Sequence, residues 1–138
     1  MDEFQHEYDL DKAVLITPRK RDFKFLVTPR YVGHYCDHTY EEFTADLLSN
    51  MIKDGTSFID VGAHSGFYSL LIGTRNKNSK IFAFEPVPAS FSLLVKNLEL
   101  NGLKNVDAHN LAVSNRNEIR IFNITEASDS AGFYQHPL

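Results

Sequence analysis

The sequence predicts an α/β fold: a Rossmann-like sheet with strands in the order three, two, one and helices on its faces, preceded by a β-hairpin and a helix. Three observations predict it. Two apolar runs, Ser57-Phe58-Ile59 and Ile81-Phe82-Ala83-Phe84, each lead into an acid, Asp60 and Glu85. Each is followed by a stretch of helical periodicity, and a turn bearing Gly62 and Gly66 joins the first run to its helix. A strand that ends in an acid and passes through glycines into a helix is how a parallel sheet offers bare backbone to a small ligand at its carboxyl edge.

The elements follow in order. Ala13 to Thr17 and Phe23 to Thr28 are β-prone runs separated by Pro18-Arg19-Lys20-Arg21-Asp22, which suits two strands and a polar turn. Thr39-Tyr40-Glu41-Glu42 has capping-box spacing, with Thr39 as N-cap and Glu42 reaching back. Tyr40, Phe43, Leu47, Leu48, Met51 and Ile52 recur at helical intervals, and Gly55 supplies a stop. Residues 57–61 form the first parallel strand and Gly66 to about Gly73 a helix, with a polar loop from Arg75 to Lys80. Residues 81–85 read as a strand buried on both faces. Pro86 and Pro88 suit the approach to a second helix, which Phe91, Leu94, Val95 and Leu98 line and Asn101-Gly102 ends. Val106 to Val113 is the third strand. Right-handed crossovers make the three strands parallel. After a turn at Ser114 to Asn117, Glu118 to Ile124 reads as one more strand, antiparallel because its connection is short. Residues 1–39 are thus a lead-in and 40–138 the nucleotide-fold body.

Composition sets limits on function. The chain has 138 residues, 43% hydrophobic and 23% charged, enough to bury a core. A net charge of −4 gives no general footprint for a polyanion, so nucleic acid is not an expected partner. The basic cluster Arg19-Lys20-Arg21 reads as the tip of a solvated turn rather than a phosphate site. The single cysteine, Cys36, fits a reducing compartment. No apolar stretch has the length of a membrane span, and the start, Met1-Asp2-Glu3-Phe4, is acidic, so the expectation is the cytoplasm and no membrane.

The turn also narrows the ligand. A dinucleotide fingerprint needs a middle glycine, where this chain has His64. A P-loop needs Gly-Lys-Ser/Thr, and here Phe67 and Tyr68 follow Gly66. What remains is a ligand with a carboxylate for the helix N-terminus, a ribose for an acid, and no phosphate. S-adenosylmethionine has that outline. Glu85 stands at the end of the second strand, where adjacent-strand geometry points a carboxylate at a ribose bound over the first.

Asp60-Val61-Gly62-Ala63-His64-Ser65-Gly66-Phe67-Tyr68-Ser69, then Phe84-Glu85-Pro86-Val87-Pro88, then Leu94, Asn97 and Asn101, then Leu111-Ala112-Val113-Ser114 together resemble the FkbM family of class I S-adenosylmethionine-dependent methyltransferases. The resemblance spans roughly residues 40–125 and implies O-methylation of a small-molecule or sugar hydroxyl. It implies that Asp60 holds the donor's amino group, directly or through water, and that Gly62, Ala63 and Gly66 let backbone approach its methionyl part. Glu85 takes the ribose on this reading, and the segment around Asn110 and Leu111 meets the adenine edge. His64 stands where relatives often carry asparagine. Either type tolerates a left-handed turn, so His64 reads as turn-forming. The resemblance assigns no catalytic base.

Family members continue into a further strand with an Asp-Val-Glu-Gly type motif, which Ala127 to Leu138 does not match. The expectation is a methyltransferase domain incomplete at its C-terminus, binding donor weakly and turning over nothing alone. Its first strand would have an open edge, available to a partner chain or a second copy. The alternative function is a noncatalytic binding or assembly module on the same fold. His34, Cys36 and His38 would share one face of an extended segment, but the aromatic surroundings favour a packing loop over a metal site.

Overall fold

The computed structural model describes residues 10–37, 40–124 and 132–133. The hairpin forms where the β-prone runs predict it. Strands β1 (Val14–Ile16) and β2 (Phe25–Val27) pair antiparallel, with Val14 opposite Val27 and Ile16 opposite Phe25. β2 supplies the buried side, since Phe25 and Val27 lie in the core and β1 stays exposed or half-buried. The basic turn is pinned down by charge. The Arg19 amide donates to the Tyr35 carbonyl at 2.8 Å and its guanidinium to the Asp37 carbonyl at 3.1 Å. Lys20 and Arg21 pair with Glu42 and Asp46 of the helix below. Those three cations are engaged by the protein itself.

Two helices follow, α1 (Val32–Cys36) and α2 (Glu42–Met51). Because residues 32–36 are helical, His34 and Cys36 do not share a face as they would in an extended segment. His38, like Thr39, lies outside the described residues. The start of α2 differs from the expected capping box. Its N-cap is Glu41, in the left-handed region at φ 41°, so Glu42 opens the helix instead of closing a box. The buried face differs as well. Ala45 is buried with Leu48 and Ile52 packed beside it, while Phe43 and Met51 are 81% and 66% exposed. The helix ends at an extended Ile52, three residues before the turn glycine Gly55.

The body is a parallel sheet of β3 (Phe58–Val61), β4 (Ile81–Phe84) and β5 (Val106–His109), ordered β5-β4-β3 as predicted. Phe58, Ile81 and Val106 stand in one register row, and Val61, Phe84 and His109 in another. Helices α3 (Phe67–Arg75) and α4 (Pro88–Leu100) follow the first two strands. α4 ends in a Schellman motif: the Gly102 amide donates to Glu99 and the Leu103 amide to Leu98, with Gly102 at φ 61°.

Three expectations fail here for lack of a packing partner. β4 is not buried on both faces: Ile81 and Ala83 are fully covered, Phe82 and Phe84 only half. β5 ends at His109 and not at Val113, because its partner β4 ends opposite it at Phe84. Residues 118–124 form no strand beyond an isolated antiparallel bridge between Asn123 and Gly132. Ile119 and Ile121 alternate as a strand should, yet both are solvent-exposed, with no sheet to join.

One aromatic core joins the lead-in to the body. The Phe67 ring meets Phe23, Phe25, Tyr35 and Tyr40 at centroid distances of 5.8, 6.1, 5.3 and 5.1 Å. A smaller cluster of Ala63, Ala83, Leu94 and Leu98 packs α4 on the sheet. No described helix is long and apolar enough to cross a membrane.

Candidate functional site

At the carboxyl ends of β3 and β4 the glycine turn, residues 62–66, leads into α3. It is held by its own backbone. The amides of Gly62 and Ala63 donate to the Phe84 carbonyl at 2.9 and 3.0 Å, and that of Gly66 to the Ala63 carbonyl at 2.7 Å. Gly62, His64 and Gly66 all have positive φ, at 77°, 51° and 94°. For His64 this is the left-handed turn residue that the sequence predicts. At Gly66 the backbone lies so close to α4 that a Cβ would stand 2.5 Å from Leu94. At Gly62 a Cβ would meet no protein atom within 4 Å. Gly66 is therefore needed by the fold, whereas Gly62 leaves space above the turn.

The two acids sit on either side of this turn and are used differently. Glu85 is 4% exposed, and each of its oxygens accepts one backbone amide: His64 at 2.7 Å and Val87 at 2.8 Å. Each oxygen keeps a second acceptor position. Burial pushes its carboxyl above the usual range, the two amides oppose that, and the charge of Asp60 adds to it. Asp60 accepts from the Ser69 hydroxyl at 2.7 Å and from the Ser69 amide. Ser69 is the third residue of α3, so Asp60 caps that helix from the adjoining strand. Burial raises its carboxyl too, against the Ser69 bonds.

Asn110 and Leu111 part company. The Asn110 amide donates to the carbonyls of Glu85 and Pro86 at 2.8 and 3.1 Å, so it braces the strand end that carries Glu85. Leu111 lines the cavity above the sheet edge.

That cavity has a volume of about 500 Å³. Asp60, Gly62, Ala63, His64 and Glu85 line it, as does Leu111; Gly66 and Asn110 do not. The cavity is also lined by Tyr31, Tyr40 and Glu41, to which the sequence gives no binding role, and by His34, which the sequence places in a packing loop. The Tyr31 ring bridges the two sides, 5.8 Å from His34 and 5.3 Å from His64. Among the described residues, the lining holds three carboxylates, Glu41, Asp60 and Glu85, and neither lysine nor arginine. Such a lining attracts a cation and repels phosphate. No group of three or more metal-ligating side chains occurs among the described residues.

No protein-family model matches the chain. Methyltransferase 1 of Beauveria bassiana (strain ARSEF 2860) is 38% identical over 56 residues, 41% of this chain and 22% of that protein. Methyltransferase sdnD of Sordaria araneosa is 37% identical over 71 residues, 51% of this chain and 25% of that protein. The matches thus span about a quarter of the length of these curated relatives. Among solved structures, M. jannaschii TYW2 in complex with AdoMet aligns with a TM-score of 0.57 at 16% identity, covering 70% of this chain and 42% of that one. The fold is that of the Rossmann-like methyltransferases, of which this chain spans a part.

Proposed function

We propose that this chain is the donor-binding part of an S-adenosylmethionine-dependent methyltransferase, of FkbM type, acting on a hydroxyl of a small molecule or sugar. The observation that carries the donor assignment is the cavity lining: a glycine turn at the carboxyl edge of parallel strands and, among the described residues, three carboxylates and no lysine or arginine. A dinucleotide brings a pyrophosphate that this lining would repel, whereas a sulfonium donor brings positive charge and a ribose. Glu85 fits the ribose. Its two backbone amides fix the carboxylate's orientation and leave one acceptor position on each oxygen for a pair of hydroxyls.

Bound there, the donor supplies an activated methyl group. The chain's own residues would orient it: the N-terminus of α3 favours the donor's carboxylate, and Gly62 leaves room for its approach. Among the described residues, His34 and His64 line the same cavity and carry imidazoles able to take a proton from a hydroxyl acceptor there. The hydroxyl acceptor rests on the resemblance carried by residues 60–69, 84–88 and 111–114, and the methyltransferase relatives support methyl transfer alone.

Isothermal titration of the chain with S-adenosylmethionine tests the donor, and Glu85→Ala is expected to abolish the binding. Unchanged affinity in that variant, or equal affinity for a nicotinamide dinucleotide, would overturn it. Formation of S-adenosylhomocysteine by this chain alone with a panel of hydroxyl compounds would overturn the reading that it is the donor-binding part.

A further inference from the structure

The donor's amino-acid end carries an ammonium as well as a carboxylate, and the acid that the family resemblance assigns to that ammonium also serves the fold. Asp60 is 8% exposed and accepts the hydroxyl and amide of Ser69, so its orientation is set by the first turn of α3. Drawing it toward a ligand would uncap the helix.

Glu41 is placed differently. It lines the same cavity but is solvent-exposed. Its carboxylate is held by the Tyr68 hydroxyl, which donates to it from the first turn of α3. Its backbone is fixed in the left-handed region, a conformation that costs a non-glycine residue about 1 kcal/mol. The Ala45 amide anchors its carbonyl at 2.9 Å as α2 begins. Tyr40 and Tyr68 both line the cavity beside it, and aromatic faces favour a cation. The helix that carries Tyr68 is the one whose N-terminus favours the donor's carboxylate. Ammonium and carboxylate sit on one carbon of an amino acid, so a partner for the first belongs beside the partner for the second.

We infer that Glu41, oriented by Tyr68, is the cavity's ammonium-binding carboxylate and takes the amino-acid end of an S-adenosylmethionine-type donor, an inference that rests on the donor reading above. Asp60 is then a positioning residue that shapes α3.

The test compares two probes by isothermal titration on the full chain. S-adenosylhomocysteine has the amino-acid end, and methylthioadenosine is the same nucleoside thioether without it. Glu41→Gln is expected to weaken S-adenosylhomocysteine about tenfold while leaving methylthioadenosine within about twofold. Tyr68→Phe should show the same selectivity at smaller size, and it decides the matter where the Glu41 variant does not fold. Equal losses for both probes, no loss for either, or equal wild-type affinity for the two would overturn the role of Glu41. A wild-type chain that binds neither probe overturns the donor reading itself.

Discussion

The side-chain amide of Asn97 donates to the carbonyl of Ser65 at 2.9 Å, and so ties helix α4 to the glycine turn. The same side chain pairs with both backbone groups of Leu26 in the hairpin, accepting from its amide at 2.6 Å and donating to its carbonyl at 2.9 Å. One turn later Asn101 repeats the pairing with Lys24, at 2.9 and 2.6 Å. The two asparagines thus stand in for a neighbouring strand along β2 and its approach. Of the two, only Asn97 also holds the glycine turn.

This asymmetry predicts unequal losses. Asn97→Ala leaves three backbone groups unpaired at a fully buried position, so urea unfolding should show a loss of about 3 kcal/mol or more. Asn101→Ala, half-buried, should lose about 1 kcal/mol. Equal losses would mean that the hairpin is held by its apolar core and not by the amides.

The two turn glycines should separate stability from binding. Gly66→Ala combines a left-handed backbone with a 2.5 Å clash against Leu94, and is expected to destabilise by more than about 2 kcal/mol. Gly62→Ala meets no protein atom, so only backbone strain of about 1 kcal/mol is expected. Its methyl group would occupy the space above the turn, and S-adenosylhomocysteine affinity should fall far more than stability. Normal affinity in Gly62→Ala would place the ligand elsewhere.

What the sequence discloses here is what depends on near neighbours. The turn, the three parallel strands, the hairpin and the asparagine-glycine stop of α4 are each set by a few adjacent residues, and all are found. The buried face of α2 is only partly legible: Leu48 and Ile52 belong to the predicted apolar set and do pack on the core, but the same set holds the exposed Phe43, Leu47 and Met51 and omits the buried Ala45. Packing against α3 selects between the two faces. Residues 118–124 show a true strand alternation with no sheet beside them. Glu41 escapes for a third reason: a capping-box reading starts the helix too early and hides the left-handed residue that opens it. Asn97 reaches a partner 71 residues away, a separation on which no local pattern reports.

Asn110 offers a milder perturbation of the same site. Its amide braces the carbonyls of Glu85 and Pro86 from outside the cavity. Asn110→Ala should lower stability by about 1 kcal/mol and weaken S-adenosylhomocysteine severalfold by loosening Glu85. A titration in which methylthioadenosine weakens equally would fit this role, since the ribose is common to both probes. Selective loss of one probe would contradict it.

Glu85 and Asp60 also fix the direction of a pH response. Burial raises both carboxyls above their ordinary range in the folded chain. Between the ordinary carboxylate pKa and the raised one, the folded state holds more protons than the unfolded state. Their contribution to stability is therefore full below the ordinary value and is lost as pH rises through the raised one. Asp54, held low by bonds from Asn78, slopes the other way at more acid pH. The contribution of Glu85 is isolated by comparing urea unfolding of the wild type and Glu85→Gln from about pH 5 to about pH 8. The wild type should lose stability relative to the variant as pH rises. Donor binding should run opposite, because ribose hydroxyls and a positive charge favour ionised carboxylates, so S-adenosylhomocysteine affinity should climb over the same window. If affinity and relative stability rise together, the ionised form of Glu85 is not the one that meets the ligand.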